Sequence, residues 1–289
     1  PRKIKSTVGL AFSYASLQQI KRLASFIFIH RISAGIFNST DRLLSALMLG
    51  PLAVGMLEVC SKFPLMFNKA LGLSVSAIVP AVSGLSASTE NGRSQLVDIY
   101  SLGFKIYYIA VVPPIISIMA FTPEILFEWV NVTDQIIIDC MRIMCIWCLF
   151  VPLQFGGNFL IGLDRKVGRY TLFIASLPIV KLLSILILVP VIGIYAFPVS
   201  YVIASLGTLY LLYTMKIVIG LCLYEEFKTM LKVIVSSIGP LMIFMAVDLD
   251  VDTSWSLFGW GSLLYGLQMA TIMFFVLSQS EKQSLKGFF

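Results

Sequence analysis

Charge is scarce in this sequence. Only 12% of its 289 residues are Asp, Glu, Lys or Arg, where a soluble domain carries about a quarter. With 58% hydrophobic residues and a mean hydropathy of +0.92, the composition excludes a water-soluble globule. Histidine occurs once, as His30, which leaves no nucleophile–His–acid arrangement to assemble and no His-based metal site. A single buried His reads first as a packed residue. Five cysteines occur, all in or beside apolar stretches, where a thiol behaves as a small hydrophobe. Cys145-x-x-Cys148 has a redox-like spacing but no βαβ context, so packing is the reading it supports. No cofactor and no metal is implied. Period-two alternation is absent as well, and the apolar runs are too long for barrel strands. The fold class is therefore all-α, a polytopic membrane helical bundle.

Eight apolar stretches long enough to cross about 30 Å of hydrocarbon can be marked. They run over 23–49, 53–85, 100–121, 135–160, 171–189, 196–219, 233–247 and 255–277. Gly50-Pro51 predicts a tight turn between the first two, and Asn91-Gly92 another in a polar loop. Pro113-Pro114 interrupts the third stretch, and Pro190 is expected to end the fifth. Residues around Glu124 and Glu128, and the run YEEFKTMLK, are expected as loops.

The formal charge of +6 is distributed as membrane topology rather than as a nucleic-acid footprint. Arg2, Lys3, Lys5, Lys21, Arg22, Arg93, Arg165, Lys166, Arg169, Lys228, Lys232, Lys282 and Lys286 all fall on the side shared by the two termini. The opposite loops hold no Lys or Arg and instead carry Glu124, Glu128, Asp134, Asp248, Asp250 and Asp252. The positive-inside rule places both ends of this segment in the cytoplasm of a cell inner (plasma) membrane. The chain opens on Pro1, with a basic stretch and no signal peptide before the first apolar run. It is expected to be the C-terminal portion of a longer protein. The organisation expected is a cytoplasmic amphipathic segment over 1–22, a six-helix lobe over 23–220, and two further helices with a tail over 221–289.

Charge inside the apolar stretches marks function, because ionised groups in lipid face a protein interior or a watery cavity. At 100° per residue, Arg31, Asn38, Arg42 and Ser45 fall within about 60° of one another on a helix. Glu58, Lys62, Lys69, Gly72, Ser76, Pro80 and Ser83 fall within about 80° on the next. Facing one another, these stripes would line a cavity for an anionic substrate. Lys69 and Lys181 lie near the middle of their spans, where snorkelling to an interface is difficult. The cationic set is Arg31, Arg42, Lys62, Lys69 and Lys181. Asp41 points about 100° away from Arg42 and should meet another helix. Glu58 shares the second stripe. Asp139 and Arg142 are i,i+3 neighbours suited to a local ion pair. These four acids and bases complete the set of coupling or ion-pair residues.

The segment from Asn38 to Ala87 carries a resemblance. Its features are Asp41-Arg42-Leu43-Leu44, then Leu49-Gly50-Pro51-x-Ala53-Val54-Gly55, then Val79-Pro80-Ala81-Val82-Ser83. Glu124-Ile125-Leu126 and Leu163-Asp164-Arg165 extend it more loosely. These residues resemble the start of the second half of Wzx-type O-antigen and exopolysaccharide flippases, in the multidrug/oligosaccharidyl-lipid/polysaccharide exporter superfamily. Leu57 stands where that family often has tyrosine, a departure that leaves the subfamily open. The resemblance implies a second lobe plus two helices of a two-lobe exporter, with an N-terminal lobe as partner. It also implies transport of a lipid-pyrophosphate-linked oligosaccharide between leaflets, with membrane lipids around it. A multidrug exporter of the same fold, a membrane-embedded glycan polymerase or ligase, and a structural subunit are the alternatives. The first would favour carboxylates for cationic drugs, whereas Lys and Arg dominate here.

Overall fold

A computed structural model describes residues 14–76, 82, 90–162, 167–246 and 254–276. The rest of the first basic segment, most of the Val79–Ser83 motif, Leu163–Lys166, the 247–253 run and the tail with Lys282 and Lys286 lie outside the described residues. Among those described, every regular element is helical: α1 (Tyr14–Met48), α2 (Pro51–Ser76), α3 (Glu90–Ala120), α4 (Thr122–Val130), α5 (Gln135–Phe150), α6 (Phe155–Gly162), α7 (Val167–Ile192), α8 (Ala196–Leu206), α9 (Leu209–Ile219), α10 (Leu223–Ala246) and α11 (Ser254–Phe275). A 3-10 turn over Val151–Gln154 joins α5 to α6, and another over Gly193–Tyr195 joins α7 to α8. Taking α5 with α6 and α8 with α9 as bent rods, and α4 as a short cap, the helices stand as eight rods. Three stretches, Gly92–Ala120, Gln135–Gly157 and Tyr170–Ile219, are long and apolar enough by composition to cross a membrane. The molecule is an all-α membrane bundle.

The Gly50-Pro51 turn forms for a local reason. Leu49 N–H closes α1 on Ser45 C=O at 2.9 Å, and Gly50 then adopts φ +88°, which a side chain would resist. Pro51 opens α2 at a position whose N–H has no partner to lose. The hairpin lays α1 along α2. α1 also packs on α7, α7 on α8, α8 on α5, and α5 back on α2, so five helices close a ring. α3 packs behind α5, with α10 and α11 against it. A polar seam ties them: Gln268 Nε2 donates to Ser237 C=O at 3.0 Å, Ser117 Oγ bonds Gln268 Oε1 at 3.1 Å, and Thr271 Oγ1 donates to Ser236 C=O at 2.9 Å. Where no water competes, these bonds hold buried polar groups that would otherwise be unsatisfied.

Several sequence expectations are corrected. Asn91-Gly92 makes no turn: α3 begins at Glu90 and runs through it. Arg93 Nε donates to Ile219 C=O at 2.8 Å, a tertiary anchor that overrides local turn preference. The acidic stretch after α3 is the helix α4, with Pro123 and Glu124 in its first turn, both favoured there. YEEFKTMLK is the start of α10, with Glu225 and Glu226 in its first turn. Glu226 is buried and accepts from Ser101 Oγ at 2.6 Å, which docks that turn on α3. Pro113-Pro114 sits inside continuous helix, and Pro190 does not end α7, which continues to Ile192. Prolines within such helices are tolerated when neighbours re-satisfy the backbone.

An aromatic column fills the core between α3, α5 and α6. Tyr100, Phe104 and Phe159 are fully buried, with Tyr100 stacked on Phe104 at 5.9 Å and edge-on to Phe159 at 5.3 Å. Cys60, Cys140, Cys145 and Cys148 are buried free thiols. α6 approaches α7 so closely that a Cβ at Gly157 would lie 2.3 Å from the Tyr170 ring. Gly157→Ala must therefore expel or shift a buried ring, an overpacking expected to cost about 1–3 kcal/mol. A lowered thermal unfolding midpoint in detergent for Gly157→Ala checks this.

Candidate functional site

The ring of helices borders an open cavity of about 260 Å³ between α1, α2, α5 and α8. Asn38, Asp41, Arg42, Glu58, Lys69 and Tyr201 are among its polar lining residues. The stripes on α1 and α2 face one another across the Gly50-Pro51 hairpin, so that Arg42 meets Glu58. Arg42 Nε bonds Glu58 Oε1 and Nη2 bonds Oε2 at 3.0 Å, a two-pronged fit of guanidinium to carboxylate. The Arg42 side chain remains 70% exposed, so it is held by one acid and open on its other edge.

Lys181 is placed differently. It is fully buried on α7, in line with Ile185 and Val189, while Leu183 and Ile187 point outward. Its Nζ lies 2.8 Å from Asp41 Oδ1 and donates to Oδ2 at 2.9 Å. It also bonds the Phe37 carbonyl and sits 3.6 Å from the Tyr201 ring centroid. Tyr201 Oη donates to the same Asp41 Oδ2 at 2.6 Å. One carboxylate thus joins α1, α7 and α8. An ammonium taken out of water is expensive unless paired and hydrogen-bonded, and here carboxylate, carbonyl and aromatic face together meet that demand.

Lys69 lines the cavity, is exposed, and has no ion-pair partner among the described residues. Arg31 and Lys62 are exposed but do not line it. Asp139 and Arg142 approach at 4.0 Å on α5, away from the cavity, and Asp139 also accepts from Gln135 Nε2 at 2.9 Å. Of the five predicted cations, the structure therefore brings Arg42 and Lys69 to the lining and sets Lys181 in the wall behind Asp41. Gly72, Ser76, Pro80 and Ser83 lie where no side chain is described. Tyr201 and Phe37 were not legible in the sequence. They sit on apolar helix faces, and Tyr201 lies 160 residues from the Asp41 it bonds. No group of three or more His, Cys, Asp or Glu among the described residues could hold a metal ion.

The chain superposes on a solved structure, "Lipid II flippase MurJ, inward closed conformation", with a TM-score of 0.66 and 16% sequence identity. It has that flippase's fold. The match covers 86% of this chain and 52% of that one, so this chain spans about half the length of its structural neighbour. No family profile and no curated protein matches the sequence. At this identity the likeness concerns architecture, and the residues of the cavity have to be argued from their own chemistry.

Proposed function

We propose that this chain is one lobe of a flippase that carries a lipid-pyrophosphate-linked oligosaccharide from the cytoplasmic to the outer leaflet for surface polysaccharide biosynthesis, in the Wzx-type branch of its superfamily. The observation that carries the reading is the conjunction in one cavity of Lys69, a cation with no ion-pair partner among the described residues, and the half-open Arg42 fork. A pyrophosphate needs cationic, fork-shaped partners. Arg42 can exchange the Glu58 carboxylate for phosphate oxygens without leaving its place. The cavity within one lobe is small for an oligosaccharide. An N-terminal lobe facing α1 and α2 would enlarge it, and the lipid tail would stay in the bilayer. Rocking of the two lobes would then alternate access to the two leaflets.

The acids argue against a multidrug exporter. Asp41 is neutralised by Lys181 and Glu58 by Arg42, which leaves no carboxylate in the described lining open to a cationic drug. The substrate choice is tested by reconstituting the protein with its partner lobe in vesicles. Translocation of a fluorescent lipid-pyrophosphate oligosaccharide, with no uptake of ethidium, is expected. Ethidium transport without flipping would overturn the assignment.

The topology that supports this direction is also testable. Thr133, after α4, and Ser94, in the first turns of α3, are both exposed. A cysteine at position 133 is expected to react with an impermeant thiol reagent in intact cells, and one at position 94 only after the membrane is opened. Labelling at 94 from outside would invert the bundle.

A further inference from the structure

The two acids in the cavity lining are held differently. Asp41 accepts from Lys181 Nζ and from Tyr201 Oη, side chains on two other helices. Glu58 is bonded through its side chain to Arg42 alone among the described residues. Both its oxygens meet that one fork, and the side chain is 39% exposed. A carboxylate wedged between α1, α7 and α8 stays; one with a single partner and open flanks can leave.

Glu58 also has a second berth. Lys62 lies one turn further along α2, is exposed, stands outside the lining and has no ion-pair partner among the described residues. Glu four residues before Lys is the favourable order for a pair on one helix face. The exchange needs only a change of side-chain rotamers. With Glu58 on Arg42, the described lining offers one cation without an ion-pair partner, Lys69; with Glu58 on Lys62 it offers two.

This inference rests on the proposed function. A pyrophosphate on fixed cations is bound by charge-assisted hydrogen bonds, the strong kind, and a carrier has to let it go. A carboxylate on a short tether beside the fork competes at an effective concentration in the millimolar range or above. It can replace departing phosphate oxygens in the same two-pronged geometry.

We propose that Glu58 is a positioning residue for release: it alternates between Arg42 and Lys62, yielding the fork to the pyrophosphate on binding and retaking it as the head group leaves. Glu58 thereby lowers affinity and raises turnover. A mere brace between α1 and α2 would do neither, since its loss would disorder Arg42 and weaken binding.

The test uses the protein with its partner lobe, as wild type, Glu58→Gln and Lys62→Met. Binding of inorganic pyrophosphate is titrated by calorimetry, and translocation of a lipid-pyrophosphate oligosaccharide is followed in vesicles over a range of substrate. Glu58→Gln is expected to bind pyrophosphate roughly two- to fivefold more tightly and to lower KM and kcat together. Lys62→Met is expected to weaken binding, by no more than about twofold. Unchanged or weaker binding in Glu58→Gln, a kcat at or above wild type, or tighter binding in Lys62→Met would overturn the proposal, while a wild type that binds and flips leaves the function reading standing. A wild type that neither binds pyrophosphate nor flips the lipid would overturn that reading and this inference with it.

Discussion

Asp41→Asn is expected to destabilise the protein by about 3–5 kcal/mol, the usual loss when one partner of a buried ion pair is removed. The reason is Lys181. Its ammonium is fully buried, and among the described residues Asp41 is the one carboxylate bonded to it. Without that charge, the Phe37 carbonyl and the Tyr201 ring remain, and neither neutralises a cation. Tyr201 Oη loses its ionised acceptor at the same time. Lys181→Met should also destabilise, though less, because the Asp41 side chain keeps 16% exposure and some access to water. The double variant Asp41→Leu with Lys181→Met should return close to wild-type stability, since replacing a whole buried pair by apolar groups is often neutral or better. Thermal unfolding in one detergent checks all three. An Asp41→Asn midpoint equal to wild type would show that the pair does not bear on the fold.

Lys69→Met is expected to act on binding instead. Lys69 is exposed in the cavity and holds no ion-pair partner among the described residues, so removing it breaks no ion pair among them. Hydrogen bonds to charged groups contribute about 1.5–3 kcal/mol, and loss of one from a bound pyrophosphate corresponds to roughly ten- to a hundredfold weaker binding. Arg42→Gln should weaken binding by a similar factor and also leave Glu58 without its fork. Arg42→Lys should be milder, because it keeps the charge and loses only the bidentate geometry. Titration of a soluble pyrophosphate-sugar analogue against each variant, alongside its unfolding midpoint, separates loss of binding from loss of fold.

Much of the architecture was legible because its causes are local. Apolar runs and the Gly50-Pro51 pair are written in consecutive residues, and the eight rods follow them. The loops that became helix were misread for a physical reason. Glu124 and Glu225 favour helix starts through the backbone dipole, whereas polarity next to an apolar span reads locally as a break. Arg93 reaching Ile219 is a long-range contact that no window of sequence contains. The two polar stripes were visible from helical period alone, and so was the divergence of Asp41 from Arg42. Periodicity gives the face on which a charge lies and is silent about what stands opposite. It could not distinguish Lys69, open to the cavity, from Lys181, closed off by Asp41, or Arg42 on the lining from Arg31 outside it.

The central claim is that a small number of cavity cations, rather than the general positive charge of α1 and α2, recognise the anionic head group. Lys62 and Lys69 test it directly. Both are exposed lysines on α2, about 20° apart in helical projection, and only Lys69 lines the cavity. The measurement is the rate of headgroup translocation for a lipid-pyrophosphate oligosaccharide in vesicles, per molecule of inserted protein, for wild type, Lys62→Met and Lys69→Met. The account predicts a rate for Lys69→Met lower by roughly tenfold or more, with Lys62→Met within about twofold of wild type. Equal rates for Lys69→Met and wild type, or equal losses for the two variants, would contradict it.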